Sequence, residues 1–322
     1  MALPVVEKDK KSFGTEQMLV VGAAIALWYS SSAIANTTSR KILTSIPAPL
    51  FLTLVQFTVA TVLLHFYLRI LKIQPYRELS LTKQSKERTV LLRLAGVYTA
   101  GFIFVNAGYV IVNVSLAETL RSAEPLVSVL LALLFLKHEK VSTLMLVSMI
   151  PIVVGGGLSS FGDSTFSPLG LLFVTVSNVS FSMRSLLTKH LHSDYKGDAL
   201  NVFYHVSRVG LIYLLFLNAS RDALGILVDE KWQVTYYLGS FDSNAARVFL
   251  VNGFCYFLYN QMSFFVLSKV EMVTHAVANA FRRVVTIVFS VWYFGNEINT
   301  VNACGIVLAI SGVLLYSKAK SS

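Results

Sequence analysis

The sequence predicts an all-α membrane protein of ten transmembrane helices arranged as a 5+5 inverted repeat. Three observations carry this expectation. Hydrophobic residues form 55% of the 322-residue chain and charged residues only 14%, and the mean hydropathy is +0.64, a balance foreign to water-soluble domains. Apolar stretches of roughly 18 to 25 residues recur along the whole length, each able to cross a hydrocarbon core about 30 Å thick as a helix. The two halves also carry matching segments. A barrel is excluded because runs such as Leu126–Leu136 and Val284–Phe294 are continuously apolar rather than alternating.

In chain order, Met1–Gln17 mixes acids and lysines and lacks the composition of a transit peptide, so residues 1–16 read as a cytosolic tail. Apolar runs and their polar breaks then give helices at 17–39, 48–71, 91–111, 114–136 and 142–161, the first repeat (17–161). A second set at 167–189, 199–218, 245–268, 273–295 and 299–317 forms the second repeat (167–317), followed by a tail at 318–322. The long polar connections, Lys72–Arg88 and Ser220–Ser243, are too short to fold alone. Basic residues assigned to alternating sides are unequal by roughly three to one, which puts both termini in the cytosol. The richer side takes Lys8, Lys10, Lys11, Arg69, Lys72, Arg77, Lys83, Lys86, Arg88, Arg93, Lys137, Lys140, Lys189, Lys196, Lys269, Lys318 and Lys320.

The repeat rests on Phe135–Glu139 followed by a helix ending Val154-Gly-Gly-Gly-Leu-Ser-Ser160, which parallels Phe294–Glu297 followed by a helix ending Ser311-Gly-Val-Leu-Leu-Tyr-Ser317. Five helices is an odd number, so a tandem duplication inserts its second copy upside down. Such carriers bind substrate near the midplane.

Charges inside spans single out a candidate site. Arg121, Arg184, Arg208, Arg282 and Arg283 lie within the expected helices, where each costs roughly 2.5 to 3.5 kcal/mol near a helix centre. Glu124, one turn after Arg121, is the expected partner of that arginine. Arg208, beside His205 and Ser207, reads as an interfacial residue. Arg184 shares a polar face with Asn178, Ser180 and Ser182. Guanidinium forks stay charged and suit phosphate, so an anion with concentrated charge is the expected ligand. Arg282 and Arg283 are expected to grip it from two directions, with Tyr259 as a phenolic donor beside them.

Other chemistry finds little footing. The net charge of +10 is spread along the chain, which argues against nucleic acid. Cys255 and Cys304 read as packing residues, and His190-x-His192 reads as a solvated turn, so no metal or cofactor is expected. Gly155-Gly156-Gly157 lacks the Lys-Ser/Thr of a phosphate-binding loop. No nucleophile–base pair stands out, and an enzyme is not expected.

At these residues the chain resembles the triose-phosphate translocator branch of the drug/metabolite transporter superfamily over nearly its full length. The resemblance is carried by Tyr259-Asn-Gln-Met-Ser-Phe264, Val273–Asn279, Arg282-Arg283-Val284, Asn302-Ala303 and Leu314–Ser317, by Ser115–Pro125, and by Ser177-Asn178 with Arg184. It implies that Arg121, Arg282 and Arg283 hold the phosphate end of the substrate, with Tyr259 close by. Thr119, Asn106 and Arg184 complete the implied substrate-binding set. Phe102 and Val105 stand where triose-phosphate exchangers carry His and Thr, whereas Asn106 fits the pattern. The implied function is an antiporter that exchanges a phosphorylated C3–C6 metabolite (triose phosphate, phosphoenolpyruvate, pentose or hexose phosphate) for inorganic phosphate. The alternative is a nucleotide-sugar transporter, although no Gly-Ala-Leu-Asn-Lys motif is present. Expected partners are therefore the phosphorylated substrate, inorganic phosphate and the lipid bilayer. Lys318-Ala-Lys320-Ser-Ser322 reads as a dilysine signal for coat-protein recognition, which points to the endoplasmic reticulum or Golgi with a plastid-type envelope as the alternative. Arginines do not deprotonate, so an empty site with uncompensated positive charge is expected to make the carrier an obligatory exchanger.

Overall fold

The computed structural model describes residues 15–76, 86–135, 143–161, 163–194, 199–227, 243–269, 272–295 and 298–321. The chain before residue 15, the charged stretch 77–85 and the segments with Glu139 and Glu297 lie outside the described residues. So do Lys137, Lys140, Lys196 and Lys231, and the side chain of Lys320, which keeps much of the basic-residue tally and the dilysine reading beyond structural comment. Lys318 is exposed.

Eleven helices make up the described residues, and none of these residues forms a strand. They are α1 (Thr15–Ser45), α2 (Pro49–His65), α3 (Lys86–Ile111), α4 (Val114–Arg121), α5 (Glu124–Phe135) and α6 (Thr143–Phe161). After them come α7 (Pro168–Asp194), α8 (Ala199–Leu227), α9 (Ser243–Lys269), α10 (Met272–Phe294) and α11 (Thr300–Ser321). A π-helical turn, Phe66–Ile70, extends α2. Every apolar run expected to be a span falls on a helix, with one exception in form: the run 114–136 is divided between α4 and α5. Pro125 explains the division, because it has no N–H to donate to the Arg121 carbonyl. Ser122 and Ala123 close α4 through bonds to the Glu118 and Leu120 carbonyls (both 3.1 Å).

Among the described residues, six helices are long and apolar enough to cross a membrane: Met18–Ser45, Pro49–Ile70, Arg88–Ile111, Thr143–Ser160, Leu200–Ala223 and Thr300–Ala319. Their outer faces are apolar and exposed, with Phe216, Ile150 and Val307 each more than half accessible, as suits a lipid solvent. Inward faces follow helical spacing. On α1 the buried set Ala24, Trp28, Ser31, Ala35, Ser39 and Ile42 recurs every three or four residues.

The helices pack as recurrent pairs: α6 with α11, α3 with α7, α1 with α9, α2 with α8, α1 with α10, α2 with α9, α3 with α8, α4 with α10 and α5 with α7. The α6–α11 crossing is a contact of backbones. A Cβ on Gly155 would lie 2.3 Å from the Ala309 nitrogen, and one on Gly305 would lie 2.3 Å from the Ser159 nitrogen. Small residues permit this approach, and dispersion between the two backbones rewards it.

Candidate functional site

Three of the arginines read from the sequence are buried, and Arg184 and Arg208 are partly buried. Arg121, Arg282 and Arg283 are 9%, 6% and 5% exposed. They enter one region from two directions because α4 packs on α10. The centre is Glu118, 0% exposed. Its Oε1 accepts from Arg121 Nη1 at 2.5 Å, from the Tyr109 hydroxyl at 2.8 Å and from Asn36 Nδ2 at 3.4 Å. Its Oε2 lies 3.6 Å from Arg283 Nη1. Groups on α1, α3, α4 and α10 thus converge on one carboxylate, as a buried charge requires.

This overturns the expected pairing of Arg121 with Glu124. Arg121 pairs with Glu118, one turn earlier, while Glu124 accepts from Arg283 Nη2 at 2.7 Å. Helical side chains lean toward the N-terminus, which favours the earlier carboxylate, and the break at Ser122–Ala123 carries Glu124 onto the next helix. Glu118 was missed as a site residue. Its signal was available: an acid inside an apolar span, three residues before an arginine.

Arg282 and Arg283 do not grip one point together. Arg282 Nη1 donates to Ser32 Oγ on α1 (2.5 Å) and its Nε to Asn279 Oδ1 (3.0 Å). Arg283 turns to the two glutamates. Adjacent helical residues diverge by about 100°, and here the divergence spreads the pair between α1 and the α4–α5 break. Among the described residues no carboxylate reaches Arg282 at ion-pair distance. The Nε of Arg121 and Nη1 of Arg283 are buried with no hydrogen-bond partner among the described residues.

Tyr259, on α9, lies within electrostatic range of Arg282 and Arg121 and packs edge-on against Tyr256 at 5.7 Å. Arg184, on α7, sits 5.3 Å from the Phe181 ring centre and 5.7 Å from that of Tyr98. Arg121 shares the Phe181 ring at 5.4 Å. Phe102 is buried in the same aromatic wall, 5.1 Å from Phe181 and 4.9 Å from Tyr256, and Val105 is buried beside it on α3. The wall's tyrosine hydroxyls are bonded internally, Tyr98 to Asn260 Oδ1 (3.2 Å) and Tyr256 to Tyr98 (3.4 Å).

Two sequence-selected residues stand apart from the cations. Asn106 Nδ2 donates to Thr53 Oγ1 (2.9 Å) and Gln56 Oε1 (3.1 Å). The Gln56 amide continues to Asn252 Oδ1 (2.9 Å), and Asn252 Nδ2 reaches the Ala35 carbonyl, Thr38 and Ser39. This is a buried polar ladder through α3, α2, α9 and α1. Thr119 spends its hydroxyl on the Ser115 carbonyl of its own helix (2.8 Å). The broken backbone near the arginines is held from α7, where Asn178 Nδ2 donates to the Leu120 carbonyl (3.1 Å) and Ser182 Oγ to that of Glu124 (3.3 Å). Polar side chains commonly steady interrupted helices in this way.

Comparison with known proteins gives the family. A model of the Triose-phosphate Transporter family matches residues 19–317. A non-green plastid triose phosphate/phosphate translocator, chloroplastic, of Brassica oleracea var. botrytis is 32% identical, over 99% of this chain and 77% of its own length. Phosphoenolpyruvate/phosphate translocator 1, chloroplastic, of Oryza sativa subsp. japonica is 33% identical, over 95% of this chain and 73% of its own. The triose phosphate/phosphate translocator, chloroplastic, of Spinacia oleracea is 30% identical, over 94% and 72%. A chain of known crystal structure superposes with a TM-score of 0.56 at 15% identity, covering 92% of this chain and 94% of that one, which shows a shared fold. With a family match across nearly all its helices, this chain belongs to the Triose-phosphate Transporter family, a family of membrane transporters and not of enzymes.

Proposed function

We propose that the protein exchanges a compact phosphate ester for inorganic phosphate across its membrane, and that Arg121, Arg282, Arg283 and Tyr259 form the phosphate end of the site. One observation carries this reading: two guanidinium donors, Arg121 Nε and Arg283 Nη1, are buried without hydrogen-bond partners among the described residues and belong to one cluster. Buried donors in that condition suit a phosphoryl oxygen. Arg184 and the aromatic wall border the organic end of the substrate. Phe102 and Val105 are apolar and the wall's hydroxyls are internally bonded, so few groups remain to read sugar hydroxyls. Triose phosphate and phosphoenolpyruvate, which the relatives' names give as their substrates, fit such a wall better than hexose phosphates. Nucleotide sugars fit it less well again.

The ten-span, 5+5 architecture is part of the same reading, with repeats at 17–161 and 167–317. Counting α4 and α5 as one interrupted span, exchange of the first five spans for the second five maps the helix pairs onto one another. The α3–α7 pair becomes α9–α1, α2–α9 becomes α8–α3, and α6–α11 and α2–α8 map onto themselves. An inverted repeat requires that pairing, and an interrupted helix at the site accords with it. The relatives' names place those proteins in chloroplasts, so a plastid-type envelope is the membrane favoured here; the endomembrane expectation draws no support from them.

The test is transport by purified protein in liposomes loaded with phosphate, challenged with triose phosphate, phosphoenolpyruvate, pentose phosphate, hexose phosphate and nucleotide sugars. The first two should compete most strongly. Each of Arg121→Ala, Arg282→Ala and Arg283→Ala should weaken uptake about tenfold or more, the worth of one charge-assisted contact. Normal exchange in all three variants would remove these residues from the site, and inhibition by nucleotide sugars alone would reassign the substrate.

A further inference from the structure

The stretch of α1 from Met18 to Ser39 holds no charged side chain, yet three successive turns of it each set a neutral polar group against the charged site. Tyr29, Ser32 and Asn36 are spaced three and four residues apart and so share one face of the helix. The Tyr29 hydroxyl donates to the Ala278 carbonyl of α10 at 2.6 Å, and Ser32 Oγ accepts from Arg282 Nη1 at 2.5 Å. Asn36 Nδ2 donates to Glu118 Oε1 at 3.4 Å. Arg282 is held a second time, its Nε donating to Asn279 Oδ1 at 3.0 Å. Asn279 follows Ala278 directly, so the Tyr29 bond fixes the turn of α10 from which Asn279 reaches Arg282. Neither bond to Arg282 uses Nη2. An arginine has many rotamers to lose when it grips a ligand, and anchors made beforehand remove much of that cost.

We propose that Ser32 and Asn279 are positioning residues that pre-set the Arg282 guanidinium, so that its Nη2 is turned to the phosphoryl group of the substrate. This rests on the phosphate site proposed above. The chemistry of the two acceptors suits the task. A hydroxyl and an amide oxygen orient a guanidinium without cancelling its charge, whereas the carboxylates of Glu118 and Glu124 offset part of the charge they hold on Arg121 and Arg283. Ser32 is fully buried, so water does not replace its oxygen. Helix α7 gives the other cationic helix comparable support, with Asn178 and Ser182 holding the carbonyls of Leu120 and Glu124 on either side of the break. In the 5+5 reading α1 and α7 are corresponding spans, so each half steadies the arginine-bearing helix beside it with neutral polar groups.

The test uses the full-length protein in phosphate-loaded liposomes, with labelled inorganic phosphate as the probe, and measures the half-saturating concentration and the maximal exchange rate separately. Ser32→Ala and Asn279→Ala should each raise the half-saturating concentration about tenfold, the weight of one charge-assisted hydrogen bond. The maximal rate should change by less than about twofold, as expected when binding alone is weakened. In an Arg282→Lys background the same two changes should add less than about twofold, because the group they position is gone. A merely structural role would lower the maximal rate through loss of folded carrier and would add its full factor in either background. Should Ser32→Ala give no folded protein, Asn279→Ala and its combination with Arg282→Lys decide the question. Unmoved half-saturation in the folded alanine variants beside a loss in Arg282→Ala, or full additivity with Arg282→Lys, overturns the inference and leaves the phosphate site standing. Normal exchange in Arg282→Ala removes that arginine from the site and this inference with it.

Discussion

Arg121 and Arg283 both depend on Glu118, and that dependence sets how the site tolerates change. Glu118→Ala leaves two buried guanidinium groups short of charge, and breaking a buried ion pair from one side costs about 3 to 5 kcal/mol. A large fall in the thermal unfolding midpoint of the detergent-solubilised protein is expected. Tyr109→Phe removes one hydrogen bond to the ionised carboxylate, which is worth about 1.5 to 3 kcal/mol, so its midpoint should fall by less than that of Glu118→Ala. Equal midpoints for both variants and wild type would show that Glu118 is not held as described. That Arg121, Arg282 and Arg283 stand out was legible from the sequence because a charge inside an apolar span has no bland neighbours to hide among, and the structure buries all three. Their partners were not. Glu118 and Glu124 stand three residues on either side of Arg121, a degenerate spacing resolved only by side-chain lean and by the break after Ser122. Asn106 illustrates the same limit: one turn along α3 from Tyr109, it faces the Thr53–Gln56–Asn252 ladder instead of the cations.

Helices with a polar burden explain why span counting by hydropathy stops at six. The remaining long helices carry polar and charged groups in their spans: Arg184 and Asn178 on α7, Asn252 and Tyr259 on α9, and Arg282 and Arg283 on α10. The α4–α5 run is divided at the point where Arg121 and Glu124 must face different partners. Apolar runs located every helix of the described residues from sequence, yet the division needed the consequence of Pro125, whose effect depends on Asn178 and Ser182 on a helix more than fifty residues away. At the α6–α11 crossing, Gly305→Leu would drive a side chain into the Gly155–Ser159 backbone. Overpacking costs typically about 1 to 3 kcal/mol, and more is expected here because backbone atoms cannot yield. The measurement is folded yield after detergent extraction, where Gly305→Leu should be largely lost and Gly157→Leu, with open space at its Cβ, retained.

For the molecule as a whole, the exchange-symmetric helix pairs lead to a prediction about topology. An even number of crossings puts the start of α1 and the end of α11 on one side. Epitope tags at the two ends should be digested together by protease added to one face of sealed vesicles and protected together from the other. Opposite protection would remove one span from the count and with it the 5+5 reading. The sequence suggests the repeat only through short matching segments, of which those with Glu139 and Glu297 lie outside the described residues; the pairing of helices is a stronger ground for the reading, since it survives divergence of the side chains.

Asn252 ties late sequence to early sequence. Its amide engages the Ala35 carbonyl, Thr38 and Ser39, 213 to 217 positions earlier in the chain, and it also accepts from Gln56. None of these bonds can form until α9 has been made. At about 5 to 20 residues per second of synthesis, α1 and α2 wait roughly 10 to 40 s in the nascent membrane protein with polar groups whose partner does not yet exist. Ser39, Gln56 and Asn106 can serve one another during that interval, because Gln56 bonds both. The ladder is therefore also a schedule: its early rungs keep the first helices presentable in lipid, and the arrival of Asn252 closes the bundle by clasping α9 to α1.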